Sequence, residues 1–150
     1  MKTLKHKRGR EALEAALRHA PEAIGRAAAA RELGVEGSPQ ATAALREAML
    51  TDKFWGVQAD AAAALGTIRT SAALDALLEG LKLPHPKARR SVVRALGNFR
   101  GDARAASALA EVVANGDESY FVEAEAALAL GKTRDERAFA HLTEALKRDS

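Results

Sequence analysis

Lys87, Arg90 and Arg94 stand at i, i+3 and i+7, a spacing that gathers three cations on one side of an α-helix. Such a stripe can take an anion or an acidic partner, or it can be a solvated helix face. Trp55 and Tyr120 form a second set, each eleven residues before a glycine (Gly66 and Gly131). Left exposed, a pair of large aromatics would anchor a partner; packed away, each would seal the turn between two helices. The four histidines, His6, His19, His85 and His141, have no i,i+3 or i,i+4 spacing to one another. A metal site needs convergent ligands, so they read as surface or cap residues. Cysteine is absent, which removes disulfides and thiolate ligands and accords with a cytoplasmic protein. With no Ser/His/Asp constellation and no glycine-rich phosphate loop, the expectation is a chain without catalytic, metal or cofactor-binding residues, and not an enzyme.

The elements that must position these residues are repeats. Phe54 to Gly66, Pro86 to Gly97 and Tyr120 to Gly131 share one shape, and Glu22 to Gly34 is a degenerate copy. Their closing glycines, Gly34, Gly66, Gly97 and Gly131, lie 32, 31 and 34 residues apart, a period that signals stacked supersecondary units. Leucine precedes each glycine (Leu33, Leu65, Leu96, Leu130). Ala29, Ala61, Val92 and Ala126 stand five before it, and Gly25, Val57, Ala88 and Val122 nine before. Those offsets share one side of a 3.6-residue helix and define a buried stripe. The glycine itself is expected at the C′ position, where positive φ is needed.

Between these copies run partner helices. Arg10 to His19 carries Leu13, Ala16 and Leu17 on one side, and Pro21 is placed to open the next helix. Ser38-Pro39 is an N-cap followed by a first-turn proline, and the helix it starts turns Thr42, Leu45 and Met49 inward. Asp52 is expected to cap the helix after it. Thr70 or Ser71 starts a helix with Leu74, Leu77, Leu78 and Leu81 as its stripe; Asp102 caps one with Ala105, Leu109 and Val112; Asp135 caps one with Phe139, Leu142 and Leu146. That makes nine helices and no strand signal, with connections short enough to force antiparallel neighbours. The expected architecture is all-α: a right-handed α-solenoid of the HEAT/armadillo-like kind, four helix pairs plus a terminal half-repeat. Residues 1–9 read as a basic disordered tail and 10–150 as one repeat domain.

Hydrophobic residues make up 47% of the chain but aromatics only 4%, so alanine, small and helix-favouring, must supply most of the packing. No apolar run approaches the roughly 18 residues of a membrane span, and the basic start lacks the apolar segment of a signal peptide. The net charge of +3 conceals a mosaic. Residues 1–10 hold five cations and no acid, and 82–104 hold seven cations against Asp102 alone; 11–81 and 105–150 are each net acidic by four. A nucleic-acid binder would show a continuous basic face, so this pattern disfavours nucleic acid.

The repeats resemble short HEAT repeats of the phycobilisome-lyase type. Three blocks resemble more: Asp52-Lys53-Phe54-Trp55-Gly56-Val57 running to Gly66, His85-Pro86-Lys87 running to Gly97, and Ser119-Tyr120-Phe121-Val122-Glu123-Ala124-Glu125 running to Arg134. Together, over about residues 38–150, they are similar to the HEAT-like C-terminal region of aminopeptidase N family zinc metallopeptidases. That resemblance implies a scaffold that braces a catalytic domain carried elsewhere. The family's His-Glu-x-x-His and Gly-x-Met-Glu-Asn motifs do not occur here, so no catalytic residue carries over. The resemblance also implies that second helices of each pair line a concave face.

The expected function is therefore a non-catalytic HEAT-repeat interaction module. Its partner would be its own catalytic domain or an acidic protein, and its candidate contacts are Lys87, Arg90, Arg94, Trp55 and Tyr120. The alternative is a stand-alone HEAT-like enzyme or adaptor, DNA glycosylase-like or bilin-lyase-like, acting on an anionic partner. Phe139, Leu142 and Leu146 repeat the spacing of Leu74, Leu77 and Leu81 without a following second helix, so they are expected to form an association surface.

Overall fold

The computed structural model describes residues 2–134, together with 140, 143–144 and 146–147. Over residues 2–134 eight α-helices follow one another: α1 (Lys2–His19), α2 (Ala23–Glu36), α3 (Pro39–Thr51), α4 (Trp55–Ile68), α5 (Ser71–Glu79), α6 (Pro86–Leu96), α7 (Ala103–Asn115) and α8 (Tyr120–Thr133). They pair in order and stack as two rows: α2, α4, α6 and α8 touch in succession to make an inner row, and α1, α3, α5 and α7 make an outer one. The described residues contain no strand. The fold is an α-solenoid. Of the ninth helix expected from the sequence, Phe139 and Leu142 lie outside the described residues; Leu146 is half exposed.

Side-chain caps account for four of the eight helix starts. Ser38 Oγ accepts the Ala41 N–H, Thr70 Oγ1 that of Ala73, Asp102 Oδ1 those of Arg104 and Ala105, and His85 Nδ1 that of Lys87. Each relieves an orphan donor of the first turn. The core is the stripe set by the repeat: Val57, Ala61 and Leu65, then Ala88, Val92 and Leu96, then Val122, Ala126 and Leu130 are all buried. Leu33, Leu45, Met49, Leu74, Leu77 and Leu109 fill the space between the rows.

Five expectations need correction. The closing glycines are not left-handed caps. Gly97 caps α6 at φ −63°, and α2, α4 and α8 run two residues beyond theirs; the left-handed caps of those three helices are Gly37 (φ 69°), Arg69 (57°) and Arg134 (52°). The glycines instead allow the inner helices to touch. A β-carbon on Gly34 would stand 2.8 Å from Ala64 Cβ, on Gly66 2.7 Å from Ala95 Cβ, and on Gly97 2.9 Å from Ala129 Cβ, all closer than carbon atoms approach. Asp52 does not cap α4, whose N-cap Phe54 makes no side-chain cap bond; its carboxylate serves another purpose, described below. Pro21 precedes α2, which begins at Ala23. Residues 2–9, read as a tail, continue α1. Finally, α5 stops at Glu79 and Gly80–Lys82 form a 3₁₀ turn: Gly80 lies against Val92 and Met49 with no room for a β-carbon, and glycine is a poor residue on which to continue a helix; Leu78 and Leu81, expected in the stripe, are only half buried.

Candidate functional site

The inner helices run parallel, so their N-terminal ends form one edge of the molecule, and the residues singled out by spacing meet there. Phe54, the N-cap of α4, lies beside Trp55 with ring centroids 5.2 Å apart. Trp55 stacks on His85 of the next repeat at 4.9 Å and 16°, and Lys87 Nζ sits 4.8 Å from its ring centroid, a cation–π distance. One helix further on, the Arg90 guanidinium lies 5.6 Å from the Phe121 ring, and Phe121 meets Tyr120 edge-on at 5.9 Å. Both Tyr120 (75%) and Phe121 (64%) are largely exposed.

Trp55 and Tyr120, equivalent in sequence, thus take opposite roles. Trp55 is half buried in the α4–α6 seam, whereas Tyr120 projects with only Phe121 as a ring neighbour. The cation stripe divides as well. Arg90 Nε and Arg94 Nη2 both bond Glu125 Oε1 on α8, at 3.1 and 2.8 Å. Partial burial disfavours the Glu125 charge, but the bonds from Arg94 and Arg90 outweigh it and hold its carboxyl below the usual range. Lys87 has the Trp55 ring and no acid, so it is the cation of the three still open to an anion.

Spacing could not place His85 against Trp55 or Glu125 between the two arginines, since each pairing crosses a repeat. Phe54 and Phe121 were the missed members. Their signal was an adjacent aromatic pair, Phe54-Trp55 and Tyr120-Phe121, opening two inner helices.

A second geometry lies just behind this edge. Arg26 Nε and Nη2 reach Asp52 at 2.9 and 3.3 Å, while Nη1 bonds the carbonyls of Ala20 and Pro21. Arg89 repeats this with Asp117 at 3.0 and 2.9 Å and with the carbonyls of Leu83 and Pro84. Each arginine ties its own inter-helix turn to the next. The carboxylates also hold the backbone N–H of Phe54 and of Ser119, which is how Asp52 positions the aromatic pair without capping the helix.

Among the described residues no group of three or more His, Asp or Glu could hold a metal ion, and no helix is long and apolar enough to cross a membrane. A comparison with families finds HEAT repeats over residues 10–85 and again over 74–150. The chain belongs to the HEAT-repeat family. No curated protein matches it.

Proposed function

We propose that this HEAT-repeat chain is a non-catalytic scaffold that holds a protein partner on the N-terminal edge of its inner row. Phe54, Lys87, Tyr120 and Phe121 make the contacts, and Trp55 with His85 forms the rigid floor. One observation carries the reading. The chain has six aromatic residues of the Phe, Trp and Tyr types, and four of them line this edge in pairs at the starts of α4 and α8, two with more than half their surface open. Exposed aromatics beside cations are the composition of binding hot spots, and Arg90, itself fixed by Glu125, lies over the Phe121 ring and leaves it less freedom to lose on binding. The finer reading, a brace for a zinc aminopeptidase domain, rests on the aromatic-Trp-Gly-Val and Ser-Tyr-Phe-Val-Glu-Ala-Glu blocks alone.

Photo-cross-linking tests the edge. With a photoreactive residue at 120 or 121, the chain expressed in its source cells should give one dominant adduct, competed away by unlabelled chain. The same group at Glu111 on the outer row should give none. Equal labelling from all three positions, or none from any, defeats the proposal.

A further inference from the structure

The opposite edge, where the inner helices end, carries a feature that the partner-binding edge does not explain. Counting three residues past each closing glycine gives Gly37, Arg69, Arg100 and Arg134. Three consecutive repeats therefore place an arginine at the same corner. All three are exposed, and among the described residues none of their guanidinium groups has a hydrogen-bond or ion-pair partner. By contrast Arg18, Arg26, Arg46, Arg89, Arg90, Arg94 and Arg104 are all paired with acids.

The backbone marks two of these arginines as retained against conformational cost. Arg69 (φ 57°) and Arg134 (φ 52°) are left-handed, as is Gly37 at the corresponding position of α2. Glycine occupies that region freely and an L side chain does not. The negative end of the helix dipole is an ordinary reason for a nearby cation. It does not require the cation at the one residue where a side chain is strained: α4 has no basic residue in its last turn, where that attraction would act without strain. Strain kept at an exposed polar residue directs attention to function.

The corner is also braced. Asn98 Nδ2 donates to the Gly66 carbonyl at 3.2 Å and its Oδ1 accepts from Lys132 Nζ, linking the ends of α4, α6 and α8. The Gly101 N–H donates to the Thr133 carbonyl at 2.8 Å, pinning the turn that bears Arg100 to α8. Two adjoining grooves run along this edge, of about 490 and 420 Å³, and both are lined by Arg69, Asn98 and Arg100. Among the described residues that line these grooves the one acid, Asp102, is engaged by the N–H groups of Arg104 and Ala105.

The geometry points to a second binding surface on this edge, for an extended acidic polypeptide segment whose carboxylates are met by Arg69, Arg100 and Arg134. Guanidinium suits paired carboxylate oxygens, and one arginine per repeat matches a chain laid along the row. A nucleic acid fits less well. Affinity for it grows with the number of phosphates neutralised, and the cations here are few. Stacking needs exposed aromatics, and Phe99, the aromatic at this corner, is buried.

Fluorescence anisotropy with the full chain at low salt tests this, using a labelled polyglutamate peptide of about ten residues as the probe. The double variant Arg69→Gly/Arg134→Gly should bind at least about tenfold more weakly, in keeping with the loss of charge-assisted pairs, with its melting temperature unchanged or raised. Arg100→Gln should weaken binding without touching a left-handed residue, and Tyr120→Ala, on the other edge, should leave it unchanged. The proposal fails if the unaltered chain does not bind the peptide, or if the glycine variant binds equally. It fails also if that variant melts more than about 5 °C lower, which would make the arginines structural caps. Tighter binding of a ten-nucleotide thymidine strand through the same arginines would replace the acidic peptide with nucleic acid.

Discussion

The three seams of the inner row share one contact and differ in another. In α2–α4, α4–α6 and α6–α8 alike, a glycine of one helix faces an alanine of the next so closely that no β-carbon fits. At the turn end the first and third seams are tied by buried Arg26–Asp52 and largely buried Arg89–Asp117. The middle seam has Gln58 where the arginines stand and Leu83 where the aspartates stand, both buried, and closes with the Trp55–His85 stack instead. The glycine–alanine contact sets how closely the helices approach, so it recurs. The turn end needs only a satisfied contact, ionic or apolar, because a matched charge pair and a well-packed apolar replacement are close in free energy. Either solution is complete in itself, and mixing their halves is what costs.

Breaking a matched pair should have the largest effect. Arg26→Ala leaves Asp52, whose side chain is 7% exposed, as an uncompensated buried charge and also strands two carbonyls; about 3–5 kcal/mol should be lost in chemical denaturation. A loss under about 1 kcal/mol would mean water or another cation replaces the guanidinium, and the seams are less different than described.

Next comes the shared contact. Gly66→Ala must push α4 and α6 apart and should cost about 1–3 kcal/mol. Gly131→Ala meets nothing within 4 Å and lies within α8, so it should be neutral or stabilise by up to about 1 kcal/mol. If thermal melts rank the two variants the other way, the close-approach account of the glycines is wrong.

The third seam adds a pH dependence. The bond from Arg89 is the main influence holding the Asp117 carboxyl below its ordinary value. A carboxyl depressed on folding contributes stability that is present above its unfolded pKa, about 3.9, and is lost as pH falls through the folded value. Asp117→Asn should therefore lower stability by about 1–2 kcal/mol from pH 5 to 7, and the gap should narrow below about pH 4. A gap independent of pH from 2 to 7 would show that shape, not charge, makes this contact.

The smallest effect belongs to the middle seam. Trp55→Leu removes the His85 stack and the Lys87 contact and should cost about 0.5–1.5 kcal/mol beyond its lost area, with helicity by circular dichroism unchanged. A loss as large as that of Arg26→Ala would make the aromatic closure the dominant one.

Much of this was legible in the chain, and for a local reason. Whether Val57, Ala61 and Leu65 face inward depends on a helical period that any window of the sequence displays, and the caps Ser38, Thr70 and Asp102 act within three residues of themselves. The repeat period then implies stacking, since no single pair of helices can cover its own stripe. The tertiary structure decided what depends on distance across repeats. It made Asp52 the partner of an arginine 26 residues earlier instead of a helix cap. It made Gly34, Gly66 and Gly97 sockets for an alanine of the next inner helix instead of left-handed caps. It split Trp55 from Tyr120 by placing His85 against one ring and not the other, and drew Arg90 and Arg94 onto Glu125. Sequence spacing orders residues along one helix; which residue of the next helix they meet follows from the interhelical approach, and that is set by small side chains acting together only once the rows have packed.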